Sequence, residues 1–321
     1  MVTETDLIII GAGPAGLTAA QYGARANLSV TVLEQFAPGG QALLIDALEN
    51  YPGIAPGKTG FDFSEDLRRQ AESFGVRFLM EEVKALEKET DTFTVSLANG
   101  QQLFSHAVIL ATGATHRHLD IPGEKEFFGR GVSYCATCDG PFFKGKKIFV
   151  AGGGDSACVE AQYLSRLTNE VIMVHRREKF RAQKALADRV LQNPNIEVRF
   201  NTTIKEIKGE QKIGGKLGSV VLAKTGPGSE EAPTEESADA VFIFVGSIPQ
   251  TSFAADNLKV QADQAGYIIT DTNMASSVPG LFAAGDVRVS PFRQVVTAAG
   301  DGAIAAHYAS AYIDKLKGQI Y

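Results

Sequence analysis

The sequence predicts an α/β protein of two Rossmann-like nucleotide-binding domains, each of three-layer ββα type, with the second inserted into the first. Three observations predict it. A strand, glycine turn, helix and strand run from residue 7 to residue 34; the same plan recurs from residue 147; and strand-to-glycine stretches flank that repeat, FSHAVILATGA before it and GLFAAGDV after it.

The first unit reads DLIIIGAGPAGLTAAQYGARANLSVTVLEQ. Residues 7–10 are a short apolar run, small and apolar residues at helical spacing begin near Pro14, and Val30 to Leu33 forms a second strand. Gly11, Gly13 and Gly16 spell G-x-G-x-x-G between strand and helix, where the backbone can approach a pyrophosphate resting on the positive end of the helix. Glu34, 23 residues after Gly11, ends the second strand and can accept a hydrogen bond from a ribose hydroxyl. A glycine turn alone suits many α/β proteins, but strand, helix and carboxylate together specify a dinucleotide.

The second unit, KIFVAGGGDSACVEAQYLSRLTNEVIMVHRRE, has a strand at 147–151, a glycine turn at 152–154, a helix from Asp155 and a strand at 171–174. Its turn, Gly152 to Ala157, is the G-x-G-x-x-A variant, and its second strand leads into His175-Arg176-Arg177 where the first unit has a carboxylate. A carboxylate repels a 2′-phosphate, whereas guanidinium groups grip it with charge-assisted hydrogen bonds. The second site therefore selects NADPH over NADH, with Arg181 adding to it. Two dinucleotide sites imply a relay from NADPH to a bound flavin. Ala111-Thr112-Gly113 and Gly285-Asp286 follow apolar strands and offer that flavin close backbone approach and an acidic group near the ribityl chain. The stretch FRQVVTAAGDGAIAAHYASAYI reads as a helix whose N-terminus can stabilise negative charge. Residues 197–224 read as β structure, and GPGSEEAPTEES (226–237) as a solvated acidic loop with no further role.

Composition narrows the class. The 321 residues, 44% hydrophobic, can bury two modest cores, and a net charge of −6 without a basic run argues against nucleic-acid binding. The N-terminal apolar run stops at Ile10, and no stretch approaches a membrane span, so a cytoplasmic protein is expected. Three cysteines, Cys135, Cys138 and Cys158, are too few for a disulfide framework.

CATCDG places Cys135 and Cys138 two residues apart. A structural zinc site needs four ligands, and no second CxxC or paired HxxxH follows; His116 and His118 upstream are the only other donors of note. A disulfide closing so small a loop constrains the unfolded chain little. Redox chemistry is left, with Asp139 as the adjacent acid/base group and Cys158 a small buried hydrophobe. Cys138 lies 14 residues before Gly152, so the dithiol belongs to the NADPH unit. Dithiol and nicotinamide must both reach one flavin, so this unit is expected to rotate between half-reactions about joints near Gly113–His118 and Gly246–Gln250.

The ordered motifs GAGPAG, GGQ, ENYPG, ATGA, CATCDG, GGGDSA, HRRE, FAAGDV and FRQ resemble the low-molecular-weight thioredoxin reductases over essentially the whole chain. The resemblance implies a homodimeric FAD enzyme that passes electrons from NADPH through FAD to the Cys135–Cys138 disulfide and on to thioredoxin. By it, Cys138 lies against the flavin, Cys135 attacks the thioredoxin disulfide, and Asp139 is the general acid/base. It assigns to FAD Gly11, Gly13, Pro14, Ala15, Glu34, Gln35, Gly40, Gln41, Asn50, Val83, Ala111, Thr112, Gly113, Gly285, Asp286, Arg293, Gln294 and Val295. To NADPH it assigns Gly154, Asp155, Ser156, Ala157, His175, Arg176, Arg177 and Arg181. It divides the chain into an FAD domain (1–115 and 248–321) and an NADPH domain (116–247) carrying the CxxC, and Phe142, Phe143 and Arg130 resemble the surface that meets thioredoxin. The alternatives are a reductase of a glutaredoxin-like or peroxiredoxin-linked protein, and a non-enzymatic flavin or NADPH redox sensor.

Overall fold

The computed structural model describes residues 3–45, 47–210, 212, 214–226 and 229–318. They divide into two compact units, one made of the residues through Thr115 with those from Ile248 onward, the other of His116–Ser247.

The first unit is built on a sheet in the order Arg77–Met80, Val30–Glu34, Thr3–Ile10, Gln102–Leu110, Thr92–Leu97, Val83–Glu89, with Leu281–Ala283 also pairing to Gln102–Leu110. Its first four strands and Leu281–Ala283 are parallel, and the outer two pair antiparallel. A parallel strand is covered on both faces, which is why Leu7 to Ile10 are all apolar and none is more than 4% exposed. Leu7 and Ile9 pack with Leu17, Ala19, Ala305 and Ala309 of the helices Pro14–Arg25 and Val295–Leu316, while Ile8 and Ile10 pack with Leu86, Phe93 and Val287 on the other face.

The second unit has a parallel sheet in the order Ile196–Arg199, Val171–Val174, Ile148–Gly152, Ala240–Phe244, Val132–Ser133, and a separate antiparallel sheet of Thr202–Gly209, Leu217–Lys224 and Thr234–Ser237. The last of these strands corrects the reading of 226–237 as a solvated loop for residues 234–237; residues 229–233 are exposed turn and coil, and 227 and 228 lie outside the described residues. Glu235 accepts hydrogen bonds from Lys208 Nζ at 2.8 Å and Ser219 Oγ at 2.6 Å, and Glu236 faces Arg199 at 2.5 Å and Lys147 at 3.4 Å. Cations on other elements hold an acidic segment that composition alone assigns to solvent.

Candidate functional site

In the first unit three turns leave the carboxyl edge of one sheet side by side. Gly11 N–H donates to Leu33 O at 2.8 Å, Ala111 N–H to Ile10 O at 2.8 Å and Ala284 N–H to Leu110 O at 2.9 Å. The glycine turn, Ala111-Thr112-Gly113 and Gly285-Asp286 are thereby laced together at the reversal of strand order, where open α/β sheets bind ligands. Gly11 sits at φ +101°, and a Cβ there would lie 2.4 Å from Ala111 O, so only glycine allows this closeness. A Cβ on Gly13 would meet no protein atom within 4 Å, leaving that stretch of backbone open to an approaching group. Glu34 Oε2 accepts from Ala12 N–H at 2.9 Å and Oε1 from Phe36 N–H at 3.0 Å, and each oxygen keeps a second lone pair for a further donor.

The remaining residues of this group come from loops, a helix start and a strand of the same unit. Gly39 N–H bonds Ala12 O at 2.7 Å, setting Gly40 beside Gly13, and Gln41 Nε2 donates to Ala114 O. Thr112 Oγ1 donates to Gln250 O at 2.6 Å, and Asn50 Nδ2 to Gln294 Oε1 at 2.9 Å. Pro14 and Ala15 open the first helix, Gln35 is exposed after Glu34, and Val83 begins an outer strand. The FRQ segment precedes the long helix rather than opening it: Gln294 is its N-cap, reciprocated by Thr297, and Val295 its first residue. Arg293 lies 4.1 Å over the ring of Tyr267 with its buried Nε lacking a hydrogen-bond partner. Burial pushes the Asp286 carboxyl above its usual range, with Arg293 opposing the shift and Asp301 adding to it.

In the second unit the strand Ile148–Gly152 delivers the other glycine turn. A Cβ on Gly153 would lie 2.2 Å from His175 Nδ1, so the middle glycine makes room for the imidazole. Gly154, like Gly13, has no atom within 4 Å of where its Cβ would stand. Asp155 accepts from Gln183 N–H at 2.7 Å and Gln183 Nε2 at 3.1 Å, and Arg181 N–H bonds Gly153 O at 2.8 Å, so the arginine-bearing loop is tied to the turn. Ser156 is exposed and Ala157 buried on the helix Asp155–Leu164. Arg176, Arg177 and Arg181 are exposed, and among the described residues none has an ion-pair partner. His175 is buried with Nε2 lacking a hydrogen-bond partner; burial and the three arginine charges hold its pKa below the usual value, against a hydrogen bond the ring makes to the Lys179 main chain.

Cys135 and Cys138 form a disulfide with Cα atoms 5.3 Å apart, in the same unit. Cys135 caps the short turn Ala136–Asp139, Cys138 N–H donating to its Sγ at 3.2 Å and Asp139 N–H to its carbonyl at 3.1 Å. Asp139 is partly exposed one residue beyond Cys138. His116 and His118 both contact Tyr134 instead of the sulfurs, and among the described residues no cluster of metal-ligating side chains occurs. Cys158 is fully buried, its thiol pushed up to about 11 by burial and by Asp155.

A family model described as pyridine nucleotide-disulphide oxidoreductase matches residues 5–302. The chain belongs to this family. Within it, the chain is 53% identical to the thioredoxin reductase of Treponema pallidum over 99% of its own length and all of that protein. The solved structure of thioredoxin reductase from Streptococcus pyogenes, 41% identical, covers 98% of this chain and 100% of its own, with a TM-score of 0.89. The Giardia duodenalis thioredoxin reductase, 38% identical, covers 97% and 99% with a TM-score of 0.90. As a pyridine nucleotide-disulphide oxidoreductase of the thioredoxin reductase type, the chain is an enzyme acting on a disulfide.

Sequence reasoning passed over several residues that build the site. Asp301 Oδ2 accepts from Gly285 N–H at 3.2 Å and from Arg288 at 3.1 Å, fixing the Gly285-Asp286 turn. Gln183 fixes Asp155, and Tyr134, directly before Cys135, donates to Glu124 at 2.6 Å. Only Tyr134 carried a signal, its adjacency to the CxxC; the others lie at separations that follow no motif.

Proposed function

We propose that the chain is an NADPH-dependent thioredoxin reductase that holds FAD in the first unit and NADPH in the second, with Cys135 and Cys138 as its redox-active pair. The observation that carries this is the Cys135–Cys138 disulfide in the same unit as a glycine turn that meets the His175 ring and is bonded to Arg181, with the exposed Arg176 and Arg177 next to His175 in the chain. The laced turns, the open backbone at Gly13 and the orphaned buried Arg293 Nε suit a flavin dinucleotide; the open backbone at Gly154 and the orphaned His175 Nε2 suit a nicotinamide one. Bound NADPH and FAD supply two electrons, as a hydride and then to sulfur.

The chain's own residues do the rest. Two electrons and two protons open the Cys135–Cys138 bond to a dithiol. Asp139 takes the proton of the Cys135 thiol, the thiolate attacks one sulfur of the thioredoxin disulfide, and Asp139 returns that proton to the departing sulfur. Cys138 next attacks Cys135 Sγ, its proton passing to the second thioredoxin sulfur as it leaves, which restores the enzyme disulfide and releases reduced thioredoxin. Dithiol and nicotinamide share a unit, so that unit rotates between half-reactions, about joints near Gly113–His118 and Gly246–Gln250. The enzyme acts in the cytoplasm as a homodimer; no helix among the described residues can cross a membrane, and the exposed Tyr22, Phe61, Ile304 and Tyr308 of the first unit offer apolar contact area. NADPH oxidation in the presence of oxidised thioredoxin, compared between the native chain and Cys138→Ser, tests the reading: the variant is expected to lose turnover with thioredoxin, and one retaining the native rate overturns it.

A further inference from the structure

The two histidines upstream of the CxxC both meet Tyr134, whose hydroxyl bonds a buried carboxylate. Glu124 is 1% exposed and accepts from Leu119 N–H at 3.0 Å, Asp120 N–H at 2.7 Å and Tyr134 Oη at 2.6 Å, with Ile121 N–H at 3.5 Å. Burial alone raises a carboxyl pKa, but here the tyrosine and main-chain donors outweigh it and hold Glu124 below the usual range. His118 Nδ1 lies 2.8 Å from Tyr134 Oη and 3.4 Å from Glu124, His116 stacks on the Tyr134 ring at 5.0 Å, and Phe128 leans on it at 5.7 Å. All these groups belong to the second unit.

Tyr134 is the one residue between the buried strand Val132–Ser133 and Cys135. Its ring is stacked by His116 and met by His118 and Phe128, its hydroxyl bonds Glu124 and His118, and Ser133 Oγ accepts from Cys135 N–H at 3.0 Å. We propose that Glu124 and Tyr134 are positioning residues for the redox pair, a clamp that fixes the chain entering Cys135 and so holds its sulfur in reach of Cys138. The proposal rests on the reading of Cys135–Cys138 as the redox centre. Its chemical consequence follows from proximity: a loosened Cys135 lowers the effective concentration of each thiol at the other, and the disulfide becomes easier to reduce.

The test uses the flavin-loaded enzyme with Tyr134→Phe, which removes one oxygen, and Glu124→Gln, which keeps shape and removes charge. Equilibration of the Cys135–Cys138 pair against a reference dithiol is expected to move about tenfold toward the reduced pair, about 30 mV for a two-electron couple. Turnover with thioredoxin is expected to fall about as much, while NADPH oxidation with ferricyanide, a one-electron acceptor that needs no thiol, stays at the native rate. A folded Tyr134→Phe enzyme whose exchange equilibrium lies within twofold of the native one overturns the proposal, as does parallel loss of both activities. If Glu124→Gln does not fold, Tyr134→Phe alone decides. Failure of the underlying reading shows separately, as native enzyme that does not reduce thioredoxin or as Cys138→Ser enzyme that does.

Discussion

His175 Nδ1 stands 2.2 Å from the point where a Cβ on Gly153 would lie. The middle glycine of the second turn thus serves the imidazole that follows the neighbouring strand. Gly153→Ala is expected to destabilise the second unit by about 1–3 kcal/mol, the usual cost of overpacking a close contact, and to weaken NADPH binding. Denaturant unfolding and NADPH titration measure the two effects; Gly154→Ala, with open space at its Cβ, is expected to lose binding with little change in stability.

The arginine cluster discriminates by charge. Arg176→Ala with Arg177→Ala is expected to weaken NADPH binding by several kcal/mol, since charge-assisted hydrogen bonds are worth roughly 1.5–3 kcal/mol each, while sparing NADH. KM values for the two nucleotides check it, and equal loss for both contradicts the 2′-phosphate reading.

The same arginines depress His175, after burial, and burial first of all depresses His116. A histidine whose folded pKa lies below its unfolded value of about 6.5 binds its proton more readily when unfolded, so its contribution to stability is intact above that value and is lost as pH falls through the window below it. The histidine resonances of His116 and His175 are expected to titrate below the usual value in the native protein. In the double arginine variant that of His175 is expected to rise, because two of its depressing charges are gone.

Among the three thiols, burial keeps Cys158 protonated up to about pH 11. Iodoacetamide at pH 8 is expected to label no cysteine of the oxidised protein and two, Cys135 and Cys138, after reduction, read by mass spectrometry of peptides. Labelling of Cys158 in the native state contradicts its burial.

Asp301 holds both Gly285 N–H and Arg288, each charged side chain about 15% exposed. Asp301→Ala leaves a main-chain donor unpaired and a largely buried guanidinium without its counter-charge, held among the described residues only by Thr270 Oγ1 at 2.7 Å, and is expected to cost about 3 kcal/mol and to loosen FAD. Thermal unfolding and flavin fluorescence released on dilution report the two losses.

The two βαβ units, the contrast between Glu34 and His175-Arg176-Arg177, and the pairing of Cys135 with Cys138 were legible along the chain, because each depends on residues within one turn or one strand–helix–strand span, where backbone geometry and spacing act locally. Contacts between distant elements were not legible there: Gly153 yields to a ring, Asp301 holds Gly285 across 16 residues, Glu235 and Glu236 join a sheet, and His116 and His118 attend Tyr134. These contacts arise where separate elements meet in a packed core, and no local period encodes which side chains will face one another there.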